Sequence, residues 1–117
     1  MSDEVQILDR ALALSRVDGD EDLLREIAAL FLDDYPNLEA NIRQAVALRD
    51  AKALERASHT LKGSVANFAA DAVFRAAFNL EMIGRSQDLS GVEAAFQQLL
   101  ESYAALQPEL VALAGSK

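Results

Sequence analysis

One histidine, His59, is the only imidazole in the 117-residue chain, and there is no cysteine. These two counts remove histidine clusters, thiolate nucleophiles, thiolate metal sites and disulfides. They leave one neutral nitrogen nucleophile able to work near neutrality, since an unperturbed imidazole has a pKa of about 6.5. Lys62 and Gly63 stand within one helical turn of it. A lysine at that spacing can swing a mobile ammonium beside the ring and neutralise an anion placed there. A glycine in a helix interior costs roughly 1 kcal/mol relative to alanine, and beside His59 it removes a side chain from the path of approach. Lys52, Arg56 and Lys62 outnumber Glu55 over the same stretch, a cationic strip in a chain of formal charge −8. Such a strip suits an anion or an acidic partner surface. The competing reading is a solvated polar face with an incidental histidine.

Other chemistry fits less well. Glu55 and His59 are four residues apart and could both reach a metal, but the further carboxylates of a di-metal bundle site are missing at matching positions, so no metal or cofactor of its own is expected. The glycines, at 19, 63, 84, 91 and 115, never cluster into a phosphate-cradling loop, which argues against self-phosphorylation from ATP. The acid pairs Glu21-Asp22 and Asp33-Asp34 sit near helix ends, where the helix dipole and solvation account for them.

The element that must carry His59 is a helix. Asp50 is a plausible cap for a helix running to about Phe68. At about 100° per residue from Leu54, the residues Ser58, Leu61, Val65 and Phe68 stay within about 40° and form the buried stripe, whereas His59 falls at about 140°. Glu55, Lys62, Ala66 and Gly63 share its sector, and Arg56 flanks it.

Around this helix the apolar residues recur at three and four, with five glycines and two prolines as punctuation, an all-helical pattern. A short helix is expected from Glu4 to about Ser15, ended by Asp18-Gly19-Asp20. Asp20 caps the next, with Leu23, Ile27, Leu30 and Phe31 on one face. Pro36 is expected to stop that helix and open another carrying Leu38, Ile42, Ala45 and Val46. Asp71 caps a helix to about Arg85, and Gly84 to Gly91 reads as a loop. In this helix Val73, Ala77 and Leu80 form one stripe and Phe74, Phe78 and Met82 a second. Broad burial is the expectation, as most aromatics pack inside; an exposed second stripe would suit docking. The final helix has the cleanest seam, Val92, Phe96, Leu99, Tyr103, Leu106, Leu110 and Leu113, with Pro108 expected to kink or interrupt it near Leu106 and Gln107. The fold expected is all-α: an antiparallel up-and-down four-helix bundle with one or two additional N-terminal helices, residues 1–117 forming one domain.

Nineteen acidic against eleven basic residues argue against nucleic acid as a partner. No apolar run approaches the roughly 18 residues of a membrane span, and the acidic start is unlike a signal peptide. A cytoplasmic monomer with no membrane contact is the expectation.

The segment His59-Thr60-Leu61-Lys62-Gly63-Ser64 resembles the acceptor motif of the histidine-containing phosphotransfer (HPt) domains of bacterial phosphorelays, His-x-Leu-Lys-Gly-Ser/Ala. Asp18 to Leu24, Phe31 to Pro36 and Asp50 to Leu54 are also similar to the family's pattern, so the resemblance spans nearly the whole chain. One departure stands out: Ala69-Ala70 occupies the place of the family's usual Gly-Ala. If that glycine needs a positive φ, the alanine is strained. The resemblance implies that His59 accepts a phosphoryl group at its outer ring nitrogen and later donates it, that Lys62 offsets phosphoryl charge, and that Gly63 gives clearance. It implies as partners the receiver domains of a hybrid histidine kinase and of a response regulator, with the required Mg²⁺ held by the receiver. Docking is expected over Glu55, Arg56, Lys62, Gly63, Ala66 and Phe78. Two other classes remain: a non-catalytic adaptor or inhibitor that binds receivers through the same surface, and a plain helical interaction module.

Overall fold

Aspartates open the first three helices. The amides of Leu12, Leu23 and Ala53 donate to Asp9, Asp20 and Asp50, each at 3.0 Å, satisfying donors that a helix N-terminus leaves free. The computed structural model describes residues 7–115. They form α1 (Arg10–Ser15), α2 (Glu21–Leu48), α3 (Ala51–Val65), a 3₁₀ turn (Ala66–Phe68), α4 (Asp71–Ser86) and α5 (Val92–Gly115). Short connections between α2, α3, α4 and α5 make successive helices antiparallel. Each packs on its neighbours in the order α2, α3, α4, α5, with α5 returning to α2. This is the expected up-and-down four-helix bundle, with α1 as the additional N-terminal helix.

Several boundaries differ from the sequence expectation. The proposed start at Glu4 lies outside the described residues, and Ile7 and Leu8 precede the helix, which begins after Asp9. Pro36 does not stop α2, which runs through it for 28 residues. Buried Leu24, Ala28, Phe31, Tyr35, Ile42 and Ala45 keep one stripe in phase on both sides of the proline. Pro36 itself faces solvent, so the roughly 3 kcal/mol cost of an interior proline is offset by packing that a break would disrupt. That stripe also displaces the face expected from Leu23 and Leu30, which are 42% and 63% exposed. Pro108 likewise lies on the outer side of a continuous α5, whose seven expected seam residues are all buried. Asp71 does not cap α4: it occupies the first turn, paired with Arg75 at 3.0 Å, and Ala70 holds the cap position without a side-chain bond.

Gly84 is helical, not part of the following loop. A Cβ there would lie 2.7 Å from the carbonyl oxygen of Ala51 and 2.7 Å from the amide nitrogen of Glu55. The missing side chain lets α4 close directly onto the backbone of α3. At the far end of α3, Phe68 packs on Phe31 with ring centroids 5.4 Å apart. Tyr35 and Tyr103 stack nearby at 3.4 Å, so aromatics from α2, α5 and the turn anchor this end of α3.

Ala69 adopts φ 52°, ψ 39°, the left-handed conformation that the sequence left conditional. Such a backbone costs a residue with a Cβ roughly 1–2 kcal/mol. Ala69→Gly should therefore stabilise the protein by about 0.5–1 kcal/mol after the entropy lost by glycine is counted. A urea titration showing no gain would place the strain elsewhere.

Candidate functional site

Helix α3 buries Leu54, Ser58, Leu61 and Val65 and so turns His59 outward, where its side chain is 68% exposed. The ring does not wave free. Its Nδ1 lies 2.9 Å from Oε2 of Glu81 on α4, a residue only 2% exposed. The other carboxylate oxygen, Oε1, pairs with Lys62 Nζ at 2.8 Å, and Arg85 Nη2 approaches Oε2 at 3.2 Å. Burial pushes the Glu81 carboxyl up, but hydrogen bonds and charge from Lys62 and His59 outweigh it and hold it below the usual carboxylate range. The group is therefore ionised at neutral pH and can only accept. Nδ1 must carry the proton, and Nε2 is left with its lone pair facing solvent.

Glu81 and Arg85 were absent from the sequence-based site. The trace that could have found Glu81 is a carboxylate within the apolar run of α4, flanked by Leu80 and, one turn on, Gly84. Such an acid is seldom buried without a partner. Arg85 sits one turn beyond it and also reaches Glu55 Oε2 through Nε at 3.1 Å.

The expected residues fall as follows. Lys62 is not the mobile, exposed ammonium anticipated: its side chain is 21% exposed, tied to Glu81, and lies 5.0 Å from the centre of the Phe78 ring. Gly63 is exposed, and a Cβ there would meet nothing within 4 Å, so nothing within the chain requires glycine at this place. Glu55 is half-buried and engaged by Arg85. Arg56 is exposed and lines one groove with Lys52, His59 and Arg85. Ala66 lies past the α-helical part, in the 3₁₀ turn, where Arg16 donates to its carbonyl. Broad burial of the second α4 stripe is not found: Phe78 and Met82 are 44% and 40% exposed and Phe74 half-buried. The first stripe fills the core, and a helix packed on one side cannot hide a second stripe turned a quarter to half circle away.

The Glu81 pairing has a pH consequence. Its folded pKa is depressed, so the stability it contributes is complete above the unfolded carboxylate value of about 4.3 and is lost as pH falls through the folded value. Wild-type denaturation midpoints should drop more steeply below about pH 4.5 than those of Glu81→Gln, whose side chain does not titrate. Parallel pH profiles for the two proteins would refute the coupling.

No helix among the described residues is long and apolar enough to cross a membrane. Comparison with curated proteins finds no match. Among solved structures, the fold matches the histidine-containing phosphotransfer protein B of Pseudomonas aeruginosa PAO1 with a TM-score of 0.83 and 22% identity, over 92% of this chain and 93% of that one. A family model for the Hpt domain matches residues 26–109. That span takes in the helix of His59, its Glu81 partner and most of the bundle that holds them together, and the chain belongs to the Hpt domain family, whose role is histidine phosphotransfer.

Proposed function

We propose that the protein is a phosphorelay intermediate: His59 takes a phosphoryl group from the receiver-domain aspartate of a hybrid histidine kinase and passes it to the receiver aspartate of a response regulator. The observation that supports this reading is an exposed imidazole whose inner nitrogen is bonded to a buried, ionised carboxylate, so that the outer nitrogen is the free nucleophile.

In the forward step the Nε2 lone pair attacks phosphorus. The new N–P bond forms as the P–O bond to the aspartate breaks, and the carboxylate leaves with the electron pair. The Nδ1 proton stays in place throughout. The product is a phosphorylated imidazolium whose positive charge faces Glu81, and the reverse transfer to a second aspartate needs no proton movement either. Phosphoryl transfer of this loose kind depends mainly on positioning and charge neutralisation. Lys62 supplies cationic charge beside the ring, and the divalent cation belongs to the receiver's acidic pocket. The receiver docks over Ala66, Gly63 and the exposed Phe78 and Met82, with Glu55, Arg56 and Lys62 at the border. The protein acts as a cytoplasmic monomer.

The test is transfer from a receiver domain phosphorylated with a small acyl phosphate and Mg²⁺. The chain should acquire phosphate that survives alkali and is lost in acid, the stability expected of a phosphoramidate. A receiver that binds tightly but leaves the chain unlabelled would identify an adaptor instead. Gly63→Leu sharpens the steric part of the reading. It should fold as well as wild type, gaining up to about 1 kcal/mol of helix propensity, yet transfer at least about tenfold more slowly because its side chain stands in the approach path. Normal transfer by this variant would remove the clearance role.

A further inference from the structure

Arg85 is the charged residue of the site that the transfer step leaves without a task. It bridges two carboxylates from two helices: Nε reaches Glu55 Oε2 at 3.1 Å and Nη2 reaches Glu81 Oε2 at 3.2 Å. Glu81 Oε2 is the same atom that holds His59 Nδ1. Glu55 lies one turn before His59 on α3, so the four side chains close a loop across the α3 and α4 contact made by Gly84.

Lys62 does not fix this arrangement by itself. It pairs with the opposite oxygen, Oε1, at 2.8 Å, and leaves the aim of Oε2 to other groups. A Glu81 held by Lys62 alone could rotate about its terminal torsion, a soft, roughly two-fold rotation, and leave His59 with a poorly aimed acceptor. The rigid fork of an arginine is suited to bridging two carboxylates at once, and a lysine is not. The geometry points to Arg85 as a positioning residue that, braced by Glu55, keeps the Glu81 carboxylate aimed at His59 Nδ1 and so keeps Nε2 unprotonated. The effect on transfer rests on the phosphotransfer reading of His59; the effect on the ring does not.

The experiment is ¹⁵N imidazole NMR on the full chain at a pH above the histidine titration, paired with transfer kinetics. Wild type should show the Nδ1–H tautomer. Arg85→Ala should shift the ring toward the Nε2–H form that dominates free imidazole side chains, with attack on a phosphorylated receiver about fivefold slower. Glu55→Ala, which removes the brace and leaves the cation, should give the same shift to a smaller extent and serves if Arg85→Ala folds poorly. Arg85→Lys should restore the tautomer only in part. In a Glu81→Leu background, Arg85→Ala should change neither readout, since a positioning residue has nothing left to act through. An unchanged Nδ1–H signal in Arg85→Ala, or an equal shift without Glu81, overturns the assignment. A wild type with the Nδ1–H signal that takes no phosphate would instead overturn the phosphotransfer reading alone.

Discussion

His59→Gln should fold as wild type does and accept no phosphate. The ring is 68% exposed and its hydrogen bond is to Glu81, so little packing is lost, and a glutamine amide can still donate to the buried carboxylate. A stability change within about 0.5–1 kcal/mol is expected, as for other exposed sites. Catalysis has no such substitute, because an amide nitrogen has its lone pair delocalised and cannot attack phosphorus. Transfer should fall by more than about a thousandfold, to background. The measurement is label on the chain after mixing with a phosphorylated receiver, alongside a denaturant titration. Label retained by the glutamine variant would mean that another residue is the acceptor.

Glu81 is the second large effect, and there rate and stability part company. In Glu81→Leu the imidazole loses the acceptor that fixes its tautomer and the charge that balances the imidazolium formed on transfer. A loss of about 10- to 100-fold in transfer rate is expected. Stability should change far less, because replacing a buried charge by an apolar side chain of similar volume is often neutral, and Lys62 can extend to water over Phe78. Glu81→Gln should lie between the two for transfer, since its amide oxygen still accepts from Nδ1 but carries no charge. A leucine variant that transfers at the wild-type rate would show that ring orientation does not limit the reaction.

How far the sequence reached depended on the range of the interaction concerned. The outward aim of His59 and the α5 seam rest on helical periodicity alone, and both are found as expected. The continuity of α2 through Pro36 is not legible locally, because the propensity of proline outweighs a stripe whose members include the inconspicuous Ala28. The Leu23 and Leu30 face differs for the same reason: the core stripe runs through smaller residues such as Ala28, which carry little weight in a hydrophobic periodicity. Glu81 lies 22 positions from His59, and no local pattern pairs them; only the packing of α3 on α4 does. The freedom attributed to Lys62 failed likewise, because its partner is that same distant carboxylate. Ala69 was legible only as a condition, and the structure supplies the positive φ that the condition required.

The close seat of α4 at Gly84 ties the hydrogen bond at His59 to the spacing between two helices. Glu81 and Arg85 flank that glycine in sequence, and the hydrogen bond between His59 and Glu81 spans the gap it sets. A methyl group at position 84, which would meet the backbone of α3 at 2.7 Å, would wedge the pair apart and lengthen that bond. The width of the α3 and α4 contact is thereby a component of the site, set by the side chain that position 84 lacks.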